Sequence, residues 1–234
     1  MFDILGFGPG GWGLPLLLAA AMTIAVALTG FFAGAVVGTI GAFAKVQGGP
    51  VVRAIADAYT TILRGIPDLL VIYLFYFGSS AVLTPIARLF GATGFVSLPG
   101  FLAGALAIGI VSGAYQTEVL RGAYLAIPKG EIDAATAAGM PPFLKFRRII
   151  APLALRFAIP GIGNVWQLVL KETALISVTG LVEILRQAQI GAGSTRQPFA
   201  FFMAAAVLYM AISAASSWGF GGAETRFTRG LRRA

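Results

Sequence analysis

Long apolar runs separated by short polar segments dominate the hydrophobic pattern of the chain. No charged residue occurs between Ile4 and Ala44, and further apolar runs follow. A helix needs about 20 apolar residues to cross the roughly 30 Å hydrocarbon core of a bilayer. The pattern predicts an all-α integral membrane protein with five transmembrane helices, over about 14–44, 55–77, 98–115, 157–182 and 198–220.

Glycines recur at a fixed spacing on the first predicted span. Gly30, Gly34 and Gly38 follow one another at intervals of four residues and therefore share one helix face. Small residues on one face let a second helix backbone approach closely in lipid, so we expect another span to pack there. No internal repeat or Gly/Ser linker divides the chain, and we interpret 1–234 as a single transmembrane domain.

Composition supports a membrane location, and charge orients the spans. Hydrophobic residues make up 58% of the chain and charged residues 11%, against roughly 45–50% and 25% in soluble domains. With a periplasmic N terminus and a cytoplasmic C terminus, only Arg88, Arg186 and Arg196 lie in outer segments. The basic residues of the inner segments are then Lys45, Arg53, Arg121, Lys129, Lys145, Arg147, Arg148, Arg156, Arg226, Arg229, Arg232 and Arg233. The positive-inside rule favours this orientation.

Missing residue types limit the chemistry of the chain. It contains no cysteine and no histidine, which excludes disulfides, thiolate nucleophiles, imidazole bases and zinc sites built from these residues. None of its lysines follows a glycine, so the phosphate-binding loop of ATPases is absent from the sequence. An integral membrane enzyme is therefore the least favoured class, and the basic residues, which lie between apolar runs, do not indicate nucleic-acid binding.

The polar segment 121–152, between the third and fourth predicted spans, carries the most specific pattern. We expect a short alanine-rich helix over 131–138, ended by Gly139. A second helix should begin at the proline pair 141–142 and continue to residue 150, and Pro152 should end it at the membrane. Two short helices at an angle, with small side chains and a basic edge, indicate a docking element on the cytoplasmic side.

Residues of this segment resemble a known loop motif. Asp133, Ala134 and Ala135, followed by Gly139 and then by the run 149–152, resemble the Glu-Ala-Ala, Gly, Ile-x-Leu-Pro pattern of permease subunits of ABC importers. Asp133 replaces the Glu of that pattern, and Ala151 replaces its Leu. Other stretches are similar to the polar amino acid uptake branch of the family, in particular to histidine, lysine/arginine/ornithine and opine (octopine, nopaline) permeases. They are 59–69, 118–123, 146–149, 158–164 and 171–175.

The resemblance implies a type I ABC importer transmembrane domain that works with several other chains. A cytoplasmic ATPase dimer would bind ATP and Mg and drive alternating access, and this chain would need no cofactor. A periplasmic amino acid-binding protein would deliver a polar, basic or opine-type amino acid to the bacterial inner membrane. A second, homologous permease subunit is favoured over a second copy. The residues expected to contact the ATPase are Glu131, Asp133, Ala134, Ala135, Gly139, Arg147 and Arg148.

Ionisable residues inside the predicted spans are candidates for the substrate site, because charges at membrane depth cost free energy. Arg64 or Lys171 could bind the carboxylate of an amino acid, and Glu172 its ammonium group. The candidate set is Thr60, Arg64, Asp68, Lys171, Glu172 and Thr173. The same residues could instead form ion pairs that brace the helices. A self-sufficient secondary amino acid transporter or a channel is the alternative function, although neither needs a docking segment.

Overall fold

The computed structural model describes residues 2–91, 93–94 and 96–227, so Arg229, Arg232 and Arg233 lie outside the described residues. This part of the chain folds into helices joined by short turns. They are α1 (Phe2–Leu5), α2 (Gly13–Gln47), α3 (Pro50–Gly65), α4 (Asp68–Leu89), α5 (Gly100–Leu125), α6 (Lys129–Ala137), α7 (Pro142–Lys145), α8 (Ala151–Glu172), α9 (Ile184–Thr195) and α10 (Pro198–Phe227).

Within the described residues, five helical segments are long and apolar enough to cross a membrane. They are Gly13–Gln47, Asp68–Leu89, Gly100–Leu125, Pro142–Thr179 and Pro198–Phe227. The all-α architecture and the number of spans are therefore as the hydrophobic pattern predicts.

The second predicted span, 55–77, is wrong as a single helix. The structure divides it into α3 and α4, with Ile66 in an extended conformation at φ −102° and ψ 150°. Pro67 causes the break, because its ring disfavours helical geometry at the preceding residue and it has no amide hydrogen to donate. The segment long enough to span is α4, and Arg64 and Asp68 lie on opposite sides of the break.

The third span and the following loop also differ from the prediction. α5 continues to Leu125 instead of ending near residue 115, so the polar loop does not begin at Arg121. The prediction was wrong here because Gln116 and Glu118 look like loop residues in the sequence, whereas the fold buries Gln116 between helices and pairs Glu118 with cations.

Pro152 does not end a helix. Residues 146–150 form a π-helical turn that joins α7 to α8, with the Ala151 amide donating to the Phe146 carbonyl five residues earlier. A wider turn removes the close carbonyl with which a proline ring otherwise clashes, so the helix passes through Pro152. The fourth span therefore starts near Pro142 rather than 157, and it ends in the 3₁₀ turn Thr173–Thr179.

The structure adds α9, which the hydrophobic pattern did not predict. Glu183 begins this helix as its N-cap, since its carboxylate accepts hydrogen bonds from the amides of Leu185, at 2.8 Å, and Arg186, at 2.7 Å. The segment 184–195 contains no long apolar run, so the hydrophobic pattern does not indicate a helix there. α10 also extends beyond the predicted end at 220, to Phe227.

The predicted glycine face is where α2 packs against α5. A Cβ atom added at Gly34 would lie 2.1 Å from Ser112 Oγ, and one added at Gly38 would lie 2.7 Å from Gln116 Cβ. The Gln116 side chain donates a hydrogen bond of 3.1 Å to the Phe31 carbonyl across the same contact. The glycines thus bring the two helix backbones close enough for side chains of α5 to bond to the α2 backbone.

A buried apolar cluster joins α2, α5 and α8 beside this contact. Phe31 and Trp166 meet edge to face, with ring centroids 5.3 Å apart, and Ile108 and Val169 lie in the same cluster. Many large apolar side chains on the outer faces are exposed, as expected for helices that contact lipid.

Replacement of Gly34 by alanine should destabilise the bundle by about 1–3 kcal/mol, because the added methyl group overlaps Ser112 on α5. Gly219→Ala in α10 is the matched control, since a Cβ there meets no atom within 4 Å and alanine favours the helix. Thermal unfolding of both variants in detergent checks this. Equal midpoints for the two variants would contradict the packing role of Gly34.

Candidate functional site

Glu172 is a buried carboxyl group at the end of α8. Its residue is 5% exposed, and one carboxylate oxygen, Oε1, has no hydrogen-bond partner among the described residues. The Glu172 side chain interacts with that of Asp68, the first residue of α4. Burying two acidic groups side by side in an apolar bundle costs free energy, and a bound cation would offset that cost.

Arg64 and Tyr115 complete this cluster. The Arg64 guanidinium carbon lies 5.4 Å from the centre of the Tyr115 ring, a cation–π distance. Tyr115, on α5, also lies within electrostatic range of Asp68 and Glu172. We name Arg64, Asp68, Tyr115 and Glu172 the acidic cluster; its members come from α3, α4, α5 and α8. Two carboxyl groups and one guanidinium can together bind a molecule that carries both an ammonium and a carboxylate.

The helix break explains how a short sequence supplies two members of the cluster. Because the chain leaves helical geometry at Ile66 and re-enters it at Asp68, Arg64 ends one helix while Asp68 begins the next. An acidic residue in the first turn of a helix also interacts favourably with the partial positive charge there. The cluster therefore depends on Pro67 as much as on the charged residues themselves.

The other three predicted substrate residues lie elsewhere. Lys171 is exposed and lines a groove of about 350 Å³ between α8 and α10, together with Tyr209 and Met210. Thr173 is fully buried and donates a hydrogen bond of 2.7 Å to the Leu170 carbonyl. Thr60 belongs to a separate ionic network. The structure thus brings together Arg64, Asp68 and Glu172 of the predicted set, and adds Tyr115.

The ionic network is centred on Lys45, near the end of α2. The Lys45 ammonium is buried and pairs with Asp57 at 2.7 Å and with Glu118, and it donates a hydrogen bond of 2.6 Å to Thr60. Arg121 pairs with the second oxygen of Glu118 at 2.8 Å. We name these residues the Lys45 network. It fastens α2, α3 and α5 together at one end of the bundle.

Sequence reasoning missed this network as a unit. Glu118 and Arg121 are three residues apart on one helix, which is a recognisable ion-pair spacing. Lys45 is the first charged residue after the long apolar run, which is a second signal. Nothing in the sequence indicates that residues so far apart in the chain meet.

A second buried polar cluster, also missed, lies at the start of α9. Glu183 is 1% exposed, and in addition to capping the helix it accepts a hydrogen bond of 2.9 Å from Tyr209 of α10. Burial raises the pKa of the Glu183 carboxyl, although the hydrogen bonds from Leu185, Arg186 and Tyr209 lower it. Glu183 thereby ties α9 to α10, and its bonds are all satisfied locally, which is typical of a structural residue.

The predicted docking residues lie on the segment 129–150, which we name the surface segment. Glu131, Asp133 and Ala134 are exposed on α6, whereas Ala135 is buried and its carbonyl accepts a hydrogen bond of 3.1 Å from Met140. Arg147 and Arg148 are exposed on the π-helical turn.

Gly139 sets the angle within the surface segment. Its φ is +72°, in the left-handed region that side chains with a Cβ disfavour. Its amide donates to the Thr136 carbonyl at 3.0 Å, which closes the end of α6, and the Lys145 ammonium donates to the Thr136 hydroxyl at 3.0 Å from α7. The two short helices are thus held at a fixed angle with their small and charged residues outward.

A bundle of five membrane-spanning segments with buried acidic groups and an exposed pair of short helices defines a membrane transport subunit. A family model for the inner membrane component of binding-protein-dependent transport systems matches residues 34–228, and the chain belongs to this family. It is a permease subunit of an ABC importer and a multi-pass protein of the bacterial inner membrane.

Relatives match the chain over nearly its whole length. The octopine transport system permease protein OccQ of Rhizobium radiobacter is 62% identical over 231 residues, which cover 99% of this chain and 98% of the relative. The histidine/lysine/arginine/ornithine transport system permease protein HisQ of Escherichia coli (strain K12) is 36% identical over 94% of this chain and 96% of the relative. A crystal structure of an amino acid ABC transporter with histidines superposes with a TM-score of 0.79 at 27% identity, covering 92% of this chain and 95% of that chain.

The alternative of a self-sufficient secondary transporter or channel is not favoured by these matches.

Replacement of Lys45 by methionine should lower stability by about 3 kcal/mol, because it leaves Glu118 and Asp57 without their shared cation. Lys129→Met, at the exposed start of α6, removes the same charge and should change stability little. Chemical unfolding in detergent measures both. If K45M unfolds at the same denaturant concentration as K129M, the Lys45 network does not hold the helices together.

Proposed function

We propose that this permease carries a polar amino acid, basic or opine-type, across the inner membrane into the cytoplasm by alternating access. The observation that carries the proposal is that Glu172 Oε1, buried beside Asp68, has no hydrogen-bond partner within the described part of the chain. A buried acceptor without a donor costs free energy unless a ligand supplies the donor. The transported molecules named for the relatives, octopine in one case and histidine, lysine, arginine and ornithine in the other, all carry a cationic nitrogen.

In the proposed binding mode, the cationic nitrogen of the ligand lies between Glu172 and Asp68. The ligand carboxylate then pairs with Arg64, whose guanidinium is already positioned over the Tyr115 ring. Lys171 is a second candidate for the carboxylate, reached from the groove between α8 and α10. The Thr60 hydroxyl accepts a hydrogen bond from Lys45 and the Thr173 hydroxyl donates one to the Leu170 carbonyl, so neither is assigned to the ligand in this binding mode. Charge-assisted hydrogen bonds in a dehydrated pocket give such a mode both affinity and selectivity.

The proposed partners follow from the surface segment and from the family. A cytoplasmic ABC ATPase dimer binds ATP and Mg and receives the surface segment through Glu131, Asp133, Ala134, Ala135, Gly139, Arg147 and Arg148. A periplasmic amino acid-binding protein delivers the ligand. A homologous second permease subunit completes the path across the bilayer, and this chain, one transmembrane domain without a cofactor, supplies half of it.

The proposed orientation has the N terminus in the periplasm and the C terminus in the cytoplasm. It is supported by the basic residues near the ends of α2, α5 and α10 and by the basic surface segment, all of which then face the cytoplasm. ATP binding would draw the ATPase subunits together and move the surface segments with them. The helices of the bundle then open the acidic cluster to one side of the membrane or the other.

Glu172→Gln should reduce ATP-driven uptake at least about tenfold, because an amide cannot pair ionically with the cationic nitrogen of the ligand. Association with the ATPase should be unchanged, since Glu172 is far along the span from the surface segment. Uptake of labelled arginine or octopine into proteoliposomes and co-purification of the ATPase measure the two properties. Arg226→Gln, at the end of α10, is a charge-loss control that should transport normally. Normal uptake by E172Q would refute the proposed binding mode.

Gly139→Val should abolish stimulation of ATP hydrolysis by ligand and binding protein, because a β-branched residue cannot adopt the left-handed φ of +72° without strain. The angle between α6 and the following turn should change, while the membrane helices remain folded. Gly130→Ala, in the first turn of α6 with open space around its Cβ, is the control. Equal stimulation in G139V and G130A would show that the surface segment does not transmit the signal.

A further inference from the structure

Beside the Lys45 network lies a cavity that the transport mechanism does not use. It has a volume of about 640 Å³ and opens between the end of α2, the start of α3 and the end of α5. The lining residues are Lys45, Val46, Gln47, Arg53, Asp57, Arg121, Tyr124 and Leu125. Cations therefore come from three helices and face one space, although the acidic cluster that binds substrate lies elsewhere in the bundle.

The charges around this cavity are unequal. Lys45 and Arg121 are matched by Asp57 and Glu118 within the Lys45 network. Arg53 is exposed, and no ion pair or hydrogen bond of its side chain occurs among the described residues. One full positive charge is thus left over at the cavity. Arg53 also lies in the first turn of α3, where the helix carries a partial positive charge.

Apolar residues flank the cavity on α3. Val51, Val52 and Ile55 are exposed on the same first turns as Arg53, so one side of this helix start is apolar and the other is cationic. A helix with one apolar and one cationic side is suited to the boundary between lipid headgroups and acyl chains. The cavity is therefore placed where a lipid headgroup can enter while its chains remain in contact with Val51 and Ile55.

We propose that this cavity binds the headgroup of an anionic phospholipid of the phosphatidylglycerol type. The phosphodiester pairs with Arg53 and with the exposed part of the Arg121 guanidinium, on the side away from Glu118. The glycerol hydroxyls donate to Asp57, whose carboxylate is more than half exposed, and accept from Gln47 or Tyr124. A basic pocket between membrane helices on the cytoplasmic side is a known way to hold anionic headgroups. Assignment to the inner leaflet rests on the proposed orientation, whereas the binding groups do not depend on it.

The carboxylate of Asp57 makes the pocket selective between lipids. A headgroup that bears only a phosphate has no hydrogen-bond donor for the Asp57 carboxylate. A headgroup with free hydroxyls supplies donors, and a zwitterionic choline headgroup supplies neither a net negative charge nor a donor. Phosphatidylglycerol therefore fits the cavity better than phosphatidylcholine does.

The test uses the purified transporter complex in three samples. Two contain mixed micelles of detergent with phosphatidylglycerol or phosphatidylcholine, and the third contains detergent alone with inorganic phosphate in solution. Native mass spectrometry counts retained lipids, and thermal unfolding measures their stabilisation. We expect phosphatidylglycerol to be retained and to raise the midpoint in the wild-type complex. Arg53→Gln should weaken retention about fivefold, since one basic residue near a membrane surface contributes about that factor. Arg53→Lys should retain most of the binding.

One control variant and three contrary outcomes test the lipid site. Arg226→Gln removes one positive charge at the end of α10, outside the cavity, and should bind phosphatidylglycerol as the wild type does. Equal losses in R53Q and R226Q, or equal retention of both lipids, would overturn the proposal. Full stabilisation by inorganic phosphate would replace the lipid by a free anion and overturn it as well. Uptake assays report separately on the transport function, so failure of the lipid site leaves that function standing.

Discussion

Charge in an apolar helix bundle needs a partner, and this requirement divides the ionisable residues of the permease into two kinds. Lys45 has its partners within the chain, because Asp57, Thr60 and Glu118 surround its ammonium group. Glu172 has one oxygen, Oε1, with no donor among residues 2–91, 93–94 and 96–227, and an acidic neighbour in Asp68. Charged groups that pair with other residues of the chain join neighbouring helices and hold the bundle together. An unsatisfied buried group stores free energy that a ligand of opposite charge can release on binding.

Backbone features position both kinds of residue. The glycine face of α2 lets α5 approach so closely that Glu118 of α5 reaches Lys45 of α2. Pro67 breaks the helix between Arg64 and Asp68, so that the acidic cluster forms at a helix junction. The π-helical turn at 146–150 lets one continuous helical path connect the surface segment to α8, whose last residue is Glu172. The chain therefore joins the surface segment to the acidic cluster by a continuous run of helical residues.

The sequence predicts the parts of this structure that depend on hydrophobicity alone. Apolar runs identify five spans because lipid imposes length and composition on each of them, and the glycine spacing on α2 reveals a packing face. The end of α5 could not be predicted, since Gln116 and Glu118 are polar and become buried only when α2 supplies partners. α9 was missed because it has no apolar run. Of the six candidate substrate residues, Arg64, Asp68 and Glu172 meet, and their meeting depends on tertiary contacts that no local pattern encodes.

We propose that paired buried charges support the fold and that the Glu172 carboxyl, whose Oε1 has no hydrogen-bond partner in the described part of the chain, binds the ligand. The most direct test compares the unfolding free energies of E172Q and E118Q complexes in detergent without ligand. Loss of the Glu118 charge should destabilise the complex, because Lys45 and Arg121 lose their partner. Loss of the Glu172 charge should leave stability unchanged or raise it, as removal of an unsatisfied functional group commonly does. Equal destabilisation by both substitutions would contradict the account.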